Sequence, residues 1–345
     1  MAGLRAKDVG VVPGAAGGPK GLILGPLDRF IFGSWLAQSD QPVHLVGASI
    51  GAWRMATACV QQPLPALEQF ERDYIAQDFS PAPGQTRITA QHVSDRFSES
   101  LRSFYGGRVA QVLAHPRYRL HIVTSRGRHM LGREHRLGTP LGYLGAFVTN
   151  SIHRRAMGVW IERVVFSSTA EGAMAALPFA TGDYRTRQVP LDEANFSDAL
   201  QASCSIPFVL KAVHDIAGGP PGAYWDGGIT DYHLHLNYNA AGGDGLVLYP
   251  HFQKAVVPGW LDKSLKWRHG ATHFLDNTVV LAPDPQWVLS LPGGKLPDRS
   301  DFTRFGRDTS ARAKAWTAAV SASRQLADEF EQWLSRPDPG RVQAL

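Results

Sequence analysis

The 345-residue chain reads as an α/β protein, a sheet with helices on both faces. Short apolar runs of strand length alternate with longer stretches whose apolar residues recur at helical spacing. A composition of 44% hydrophobic and 19% charged residues supplies a sizeable core, yet no run of eighteen apolar residues occurs. That combination fits a folded globule and disfavours both a disordered chain and a membrane-spanning helix.

The elements follow in order. Residues 8–12 form a first strand, and Pro13-Gly14-Ala15-Ala16-Gly17-Gly18-Pro19-Lys20-Gly21 is a loop. A helical stretch over 22–37 carries Leu27, Ile31 and Trp35 at four-residue steps, with a kink or restart at Pro26. A second strand over 43–46 enters Gly47-Ala48-Ser49-Ile50-Gly51, and a helix runs from 50 to about 61, stopping before Pro63. Helices are expected over 67–75, 94–105 and 196–203, the last capped by Asn195 or Ser197. Strands are expected over 119–124, 161–167, 223–225, 245–249 and 279–281. Residues 126–160, rich in glycine, arginine and aromatics, form a lid, an insertion or a plain surface excursion. An amphipathic helix over 310–334 stops before Pro337. No repeat or linker divides the chain, so one domain over 1–345 is expected, with its core at about 8–250.

Charge and cysteine usage narrow the setting. The net charge is +5, and the densest basic group is Arg126, Arg128, Arg133, Arg136, Arg154 and Arg155. No nucleic-acid signature surrounds these residues, which leaves a solvated surface or contact with anionic lipid headgroups. Cys59 and Cys204 make neither a disulfide framework nor a zinc spacing. The N-terminal stretch is interrupted by glycines and Pro13, unlike a secretory signal, so a reduced, cytoplasmic location is expected.

Three short patterns carry chemistry. In the first, Ser49 stands between a strand and a helix, flanked by Gly47 and Gly51. A tight turn there exposes the hydroxyl and tolerates only small neighbours, as a nucleophile requires; a serine capping a helix is the bland alternative. In the second, the glycine loop lacks the spacing of a P-loop or a dinucleotide motif. It can instead turn the amides of Gly17, Gly18 and Lys20, with Ala16 able to join them, toward one oxyanion; Pro19 cannot donate. In the third, Asp226 ends an aromatic strand before Gly227 and Gly228. A carboxylate there can lie against a hydroxyl as a desolvated base, although Asp-Gly-Gly is also good turn chemistry.

In this order the patterns resemble the patatin-like phospholipase family. The resemblance rests on Gly17-Gly18-Pro19-Lys20-Gly21, Gly47-Ala48-Ser49-Ile50-Gly51, Ala202-Ser203-Cys204-Ser205-Ile206-Pro207-Phe208 and Asp226-Gly227-Gly228, within roughly residues 8 to 250. It implies a three-layer α/β/α fold with a mainly parallel central sheet and a Ser–Asp dyad without histidine. Ser49 would attack an acyl carbonyl, Asp226 would take its proton, and the glycine loop would hold the oxyanion, with no cofactor. The implied substrate is a lipid or small acyl ester. The chain departs from the family pattern at Ala16, at Gly14-Ala15 and after the DGG, where it reads Ile229-Thr230-Asp231-Tyr232-His233-Leu234-His235.

Other functions compete. A Ser–Asp–His esterase would draw its base from His251, His269 or His273. A catalytically silent lipid-binding module would keep the elbow and not react, and acyl transfer to an alcohol would use the same residues as hydrolysis. On a strand, His233 and His235 would share a face, but no further ligand is spaced to complete a metal site; His44 is expected to be structural.

Overall fold

The protein is described by a computed structural model covering residues 3–81, 87–170, 172–241 and 245–345. Its main sheet is built from β1 (Val9–Gly14), β2 (Val43–Ala48), β3 (Tyr118–Gly127), β4 (Ile161–Ser167), β5 (Thr186–Pro190), β6 (Ala223–Asp226), β7 (Leu246–Pro250) and β8 (Thr278–Leu281). The order is β8-β7-β1-β2-β3-β4-β5, with β6 also against β3. Pairing among these strands is parallel except at β3, which runs antiparallel to β4 and to β6, and a two-residue strand, Val213–His214, adds antiparallel to β6.

Helices cover both faces: α1 (Gly25–Phe30), α2 (Ile50–Ala58), α3 (Pro63–Ala76), α4 (Ala90–Tyr105), α5 (Gly138–Ile152), α6 (Phe196–Ser203), α7 (Thr309–Ala322) and α8 (Arg324–Ser335). Strand alternation makes the layers. Val43, Leu45, Leu120 and Ile122 point into one cluster with Trp53, Phe70, Phe97 and Phe104, while Val46, Ala48, Val123 and Val165 point into another with Tyr232, Leu234 and Phe252. The central strands are buried on both sides, so apolar residues fall on both faces of each, with a few polar side chains buried among them. The three-layer α/β/α architecture with a mainly parallel sheet is the one expected.

One feature of the register positions everything else. β4 takes one edge of β3 over His121–Gly127, so β2 and β6 must share the other. β2 covers the start of that edge, ending with Ala48 opposite Val123, and β6 covers the rest, with Asp226 opposite Thr124. One partner is parallel and the other antiparallel, so the C-terminal ends of β2 and β6 meet head-on.

Several elements differ from expectation. Residues 126–160 contain α5, whose three glycines and exposed outer face hid its periodicity. β5 shows no apolar run because only Val189 of its five residues is buried. The C-terminal helix is two helices, broken at buried Ser323, whose hydroxyl donates to the Val320 carbonyl at 2.8 Å. Asn195 occupies the N-cap of α6, but its side chain does not cap; its Oδ1 accepts from the Asp192 amide at 2.9 Å instead. At Pro26 the restart occurs as expected: a 3₁₀ helix over Gly18–Leu24 gives way to α1, with Pro26 in its first turn.

Trp53 fixes α2 one turn beyond Ser49. Its ring meets Phe70, Phe97 and Phe104 edge-on, with centroids 5.1, 5.3 and 6.1 Å away. Next to it, Arg54 binds Asp28 of α1 through two bonds of 2.6 and 2.7 Å, both side chains being buried. Trp53→Ala is expected to cost about 3–5 kcal/mol in urea unfolding. A loss below about 1 kcal/mol would mean that this cluster does not hold the helix.

Candidate active site

Ser49 sits where β2 turns into α2, with φ 56° and ψ −130°. A non-glycine residue held there stores about 1–3 kcal/mol of backbone strain, tolerated when surroundings dictate the conformation. The glycines on either side are demanded by contact. A methyl group on Gly51 would lie 1.8 Å from the Gly14 carbonyl oxygen at the end of β1, and one on Gly47 would lie 2.3 Å from Cα of Ala52.

The end of α6 holds the elbow. The Ser49 amide donates to Ser203 Oγ at 2.9 Å, and Ser203 Oγ donates to the Val123 carbonyl at 2.7 Å. The same helix end receives the strand from the other side: the amides of Asp226 and Gly227 donate to the carbonyls of Ser205 and Ser203, at 2.8 and 3.1 Å. Two segments 177 residues apart are therefore clamped by one short stretch, and Ser49 Oγ donates to Asp226 Oδ2 at 2.8 Å. The other carboxylate oxygen accepts the Gly228 amide at 2.7 Å.

Burial pushes the Asp226 carboxyl above its ordinary range, against the opposing pull of Arg299, the Ser49 hydroxyl, the Gly228 amide and Lys263. Beyond it, the short helix Gly228–Asp231 is anchored by Asp231, which Arg163 of β4 grips at 2.6 and 2.7 Å.

The glycine loop arrives on the same side. Ala16 donates its amide to the Tyr232 carbonyl at 2.9 Å, so that donor is engaged. Gly18 has φ +57°, and the amides of Gly17 and Gly18 have no protein acceptor among the described residues. Lys20 lies within the 3₁₀ helix, where its amide is positioned to close the first i→i+3 ring, and its Nζ sits 5.4 Å from the centre of the Phe252 ring. A cavity of about 270 Å³ opens beside Asp226, lined on one side by Gly17, Lys20 and Gly228.

The histidines go elsewhere. His44 Nδ1 lies 2.9 Å from His121 Nε2, and His121 Nδ1 lies 2.8 Å from Ser167 Oγ, a chain running across β2, β3 and β4. His233 and His235 lie on a turn and the chain after it, not on a strand; His233 Nδ1 accepts the Val257 amide at 3.0 Å, and His235 Nε2 lies 2.9 Å from Thr272 Oγ1. His251 is buried against Phe252, and burial pushes its pKa down to about 3. His269 Nε2 lies 2.9 Å from the Asp262 carbonyl oxygen, and His273 packs on Phe274. Among the described residues no histidine bonds to Ser49 or Asp226, and no group of three or more His, Cys, Asp or Glu side chains is arranged to hold a metal.

Residues 16–233 match the Patatin-like phospholipase family, and the chain belongs to it. Membership makes it a lipid acyl hydrolase in the broad sense, with lipids as the implied substrates. No curated protein matches. Among solved structures, that of VipD from Legionella pneumophila is similar at 14% identity and a TM-score of 0.39, over 93% of this chain and 67% of that one.

Ser203, Lys263 and Arg299 border the site without having been singled out for chemistry. Ser203 stood inside a recognised motif with no role attached, and the two cations lie in polar runs far along the chain that carry no pattern.

In the unfolded chain a carboxyl ionises near about 3.9. Above that pH the unfolded chain ionises while burial resists ionisation in the native fold, so Asp226's contribution to stability falls as pH rises toward its native value and stays unfavourable at neutrality. Asp226→Asn is expected to raise Tm at pH 7 and to change it much less at pH 3, where the parent carboxyl is already neutral. A lower Tm at pH 7 would show that the charge is not a burden.

Proposed function

We propose that the chain is a serine acyl-ester hydrolase acting on lipid or small acyl esters through a Ser49–Asp226 dyad. The observation that carries this reading is the 2.8 Å bond from the Ser49 hydroxyl directly to the Asp226 carboxylate, with no imidazole on either group among the described residues. Ser49 Oγ attacks the ester carbonyl as Asp226 takes its proton. The Gly17 and Gly18 amides receive the oxyanion, and Asp226 returns the proton to the departing alcohol. Water, activated by the same carboxylate, then releases the acid and frees Ser49.

The single-domain reading over 1–345 is supported by β7 and β8, which extend the sheet beyond the family-matched region. Two free, buried cysteines agree with a reduced, cytoplasmic setting. Among the described residues no helix is long and apolar enough to cross a membrane.

Peripheral contact with an anionic membrane surface is supported by α5. Its inner face packs Tyr143 and Ala146 toward Trp225, whereas Leu141, Leu144, Val148 and Ile152 recur every three or four residues on its outside and are all more than half exposed. Exposed Phe208, next to the cavity-lining Pro207, meets Tyr143 edge-on at 5.9 Å, and exposed Arg133 and Arg136 stand just before the helix. An apolar stripe beside free cations is the composition of a helix that lies in a lipid interface.

Ser49→Ala is expected to lose both fluorophosphonate labelling and ester turnover, and Asp226→Asn to fold and lose turnover by about 10²–10⁴-fold, the span of general-base catalysis. Labelling of Ser49→Ala equal to the parent would remove Ser49 from the reaction. The acid limb of kcat/KM is expected above pH ~4, because the base works only when ionised and burial raises its pKa; a limb below that value would point to another base. Leu141→Asp with Leu144→Asp should lower affinity in co-sedimentation with phosphatidylglycerol vesicles by at least about tenfold, each aspartate removing hydrocarbon groups worth about 0.8 kcal/mol apiece when fully inserted in lipid. Unchanged sedimentation would discard the lipid-facing role of α5.

A further inference from the structure

β1 and β7 run parallel, so the chain leaves both on the same side of the sheet and the loops that follow them are neighbours. Phe252 lies two residues past the end of β7, beyond residue 233 where the family match stops, and its ring is buried. The edge of that ring supports the glycine loop: a methyl group on Gly17 would meet its Cε1 at 2.6 Å and its Cζ at 2.7 Å. Lys20, further along the loop, holds its ammonium 5.4 Å from the ring centre. One rigid side chain therefore bounds the turn from Gly17 to Lys20.

The ring is itself held from two further sides. The His251 imidazole stacks on it, with centroids 4.5 Å and planes 24° apart, and His233 meets it edge-on at 5.2 Å. The His251 amide donates to the Leu281 carbonyl at 2.8 Å, which ties the bend carrying Phe252 to the end of β8. His233 and Val257 exchange two bonds: the His233 amide donates to the Val257 carbonyl at 3.1 Å, and the Val257 amide to His233 Nδ1 at 3.0 Å. The loop after β7 is thereby stitched to the segment that follows Asp226. In that segment Tyr232 donates its amide to the Pro258 carbonyl at 2.9 Å and accepts the Ala16 amide.

An oxyanion hole works through donors that are aimed before the charge develops. The Gly17 and Gly18 amides have no protein acceptor among the described residues, and glycine backbone is the least constrained in a chain. Two consecutive glycines carry no side chains for packing to lock, so their direction has to be imposed by what lies against them. Against Gly18 lies the Arg299 side chain, its Nε 3.2 Å from where a methyl group would stand, and a long arginine is a pliant support. Against Gly17 lies the stiff aromatic ring. We propose that Phe252 is the positioning residue of the oxyanion loop, its ring setting where the Gly17 and Gly18 amides point while touching no reacting atom. The inference rests on the hydrolase reading and adds to it a residue from outside the family-matched stretch.

The test follows p-nitrophenyl butyrate hydrolysis by the full chain, expressed per Ser49 titrated by exhaustive fluorophosphonate labelling, so that unfolded molecules do not enter the rate. Phe252→Leu is expected to lower kcat by about 10- to 100-fold and leave KM within about threefold, because misplacing catalytic groups by about 1 Å costs up to about 10²-fold. Phe252→Met, closer in length to the parent side chain, repeats the comparison should the leucine variant not fold. An alkyl trifluoromethyl ketone reads the oxyanion directly: Ser49 Oγ bonds to its carbonyl carbon, the hydroxyl proton passes to Asp226, and the carbonyl π pair becomes the oxyanion. Its affinity should weaken in proportion to kcat. Phe179→Leu, made in the same apolar cluster on the side of Tyr238, is expected to lower Tm comparably and to keep kcat. A kcat within about twofold of the parent in Phe252→Leu, a loss confined to KM, or an equal kcat loss in Phe179→Leu would overturn the positioning role and leave the hydrolase intact. A parent that neither labels nor turns over would end both proposals, and one that labels without turning over this ester leaves the ketone affinities to decide.

Discussion

Where β2 and β6 end against each other along β3, the chain converts two distant sequence segments into one reacting pair. The constraint is one of register. β3 is long enough to offer its edge to two partners, and the point at which one hands over to the other lies between Val123 and Thr124. A hydroxyl leaving the first strand and a carboxylate leaving the second have nowhere to go but toward each other. Ser203 secures the junction by accepting from the elbow and donating to the central strand at the handover. The local strain at Ser49 persists because the surrounding hydrogen bonds and the contact between Gly51 and Gly14 dictate it.

Placing the carboxylate at a strand end has an electrostatic effect that an imidazole would not reproduce. Burial raises the proton affinity of Asp226, while the Gly228 amide and the Ser49 hydroxyl keep it oriented. The group is thus unstable as an anion to the degree that makes it useful as a base, and the fold carries that burden through the clamp at the end of α6. Burial keeps His44, His121, His233 and His251 neutral, and the first two are turned to structural partners in the His44–His121–Ser167 chain.

The sequence made visible what depends on short-range backbone requirements. The elbow needs small residues on either side of Ser49, the oxyanion loop needs glycine dihedrals, and Asp226 needs slim neighbours, so each left a compact pattern. The central strands were legible because burial on both faces leaves each with a short apolar run, such as Leu45-Val46 in β2, Ile122-Val123 in β3 and Val164-Val165-Phe166 in β4. α5 was not, since its glycines and outward leucines mimic a loop, and β5 was not, since one buried side chain cannot mark a strand. The break at Ser323 depends on a hydroxyl finding a carbonyl one turn back. Lys263 and Arg299 escaped notice for a different reason: they come beside Asp226 only in the folded chain, a property of three-dimensional neighbours that no local pattern encodes.

The outer strands β7 and β8 carry a further consequence for how the molecule is divided. β1 is bonded to β2 on one side and to β7 on the other, and its residues Val9, Val11 and Val12 are buried. A fragment trimmed to the family-matched stretch, residues 16–233, would strip away β1 together with β7 and bare a row of unpaired amides and carbonyls along β2. Such an edge is a template for self-association. The shortest version that stays monodisperse is therefore set by strand pairing, well past the last residue of the reacting pair.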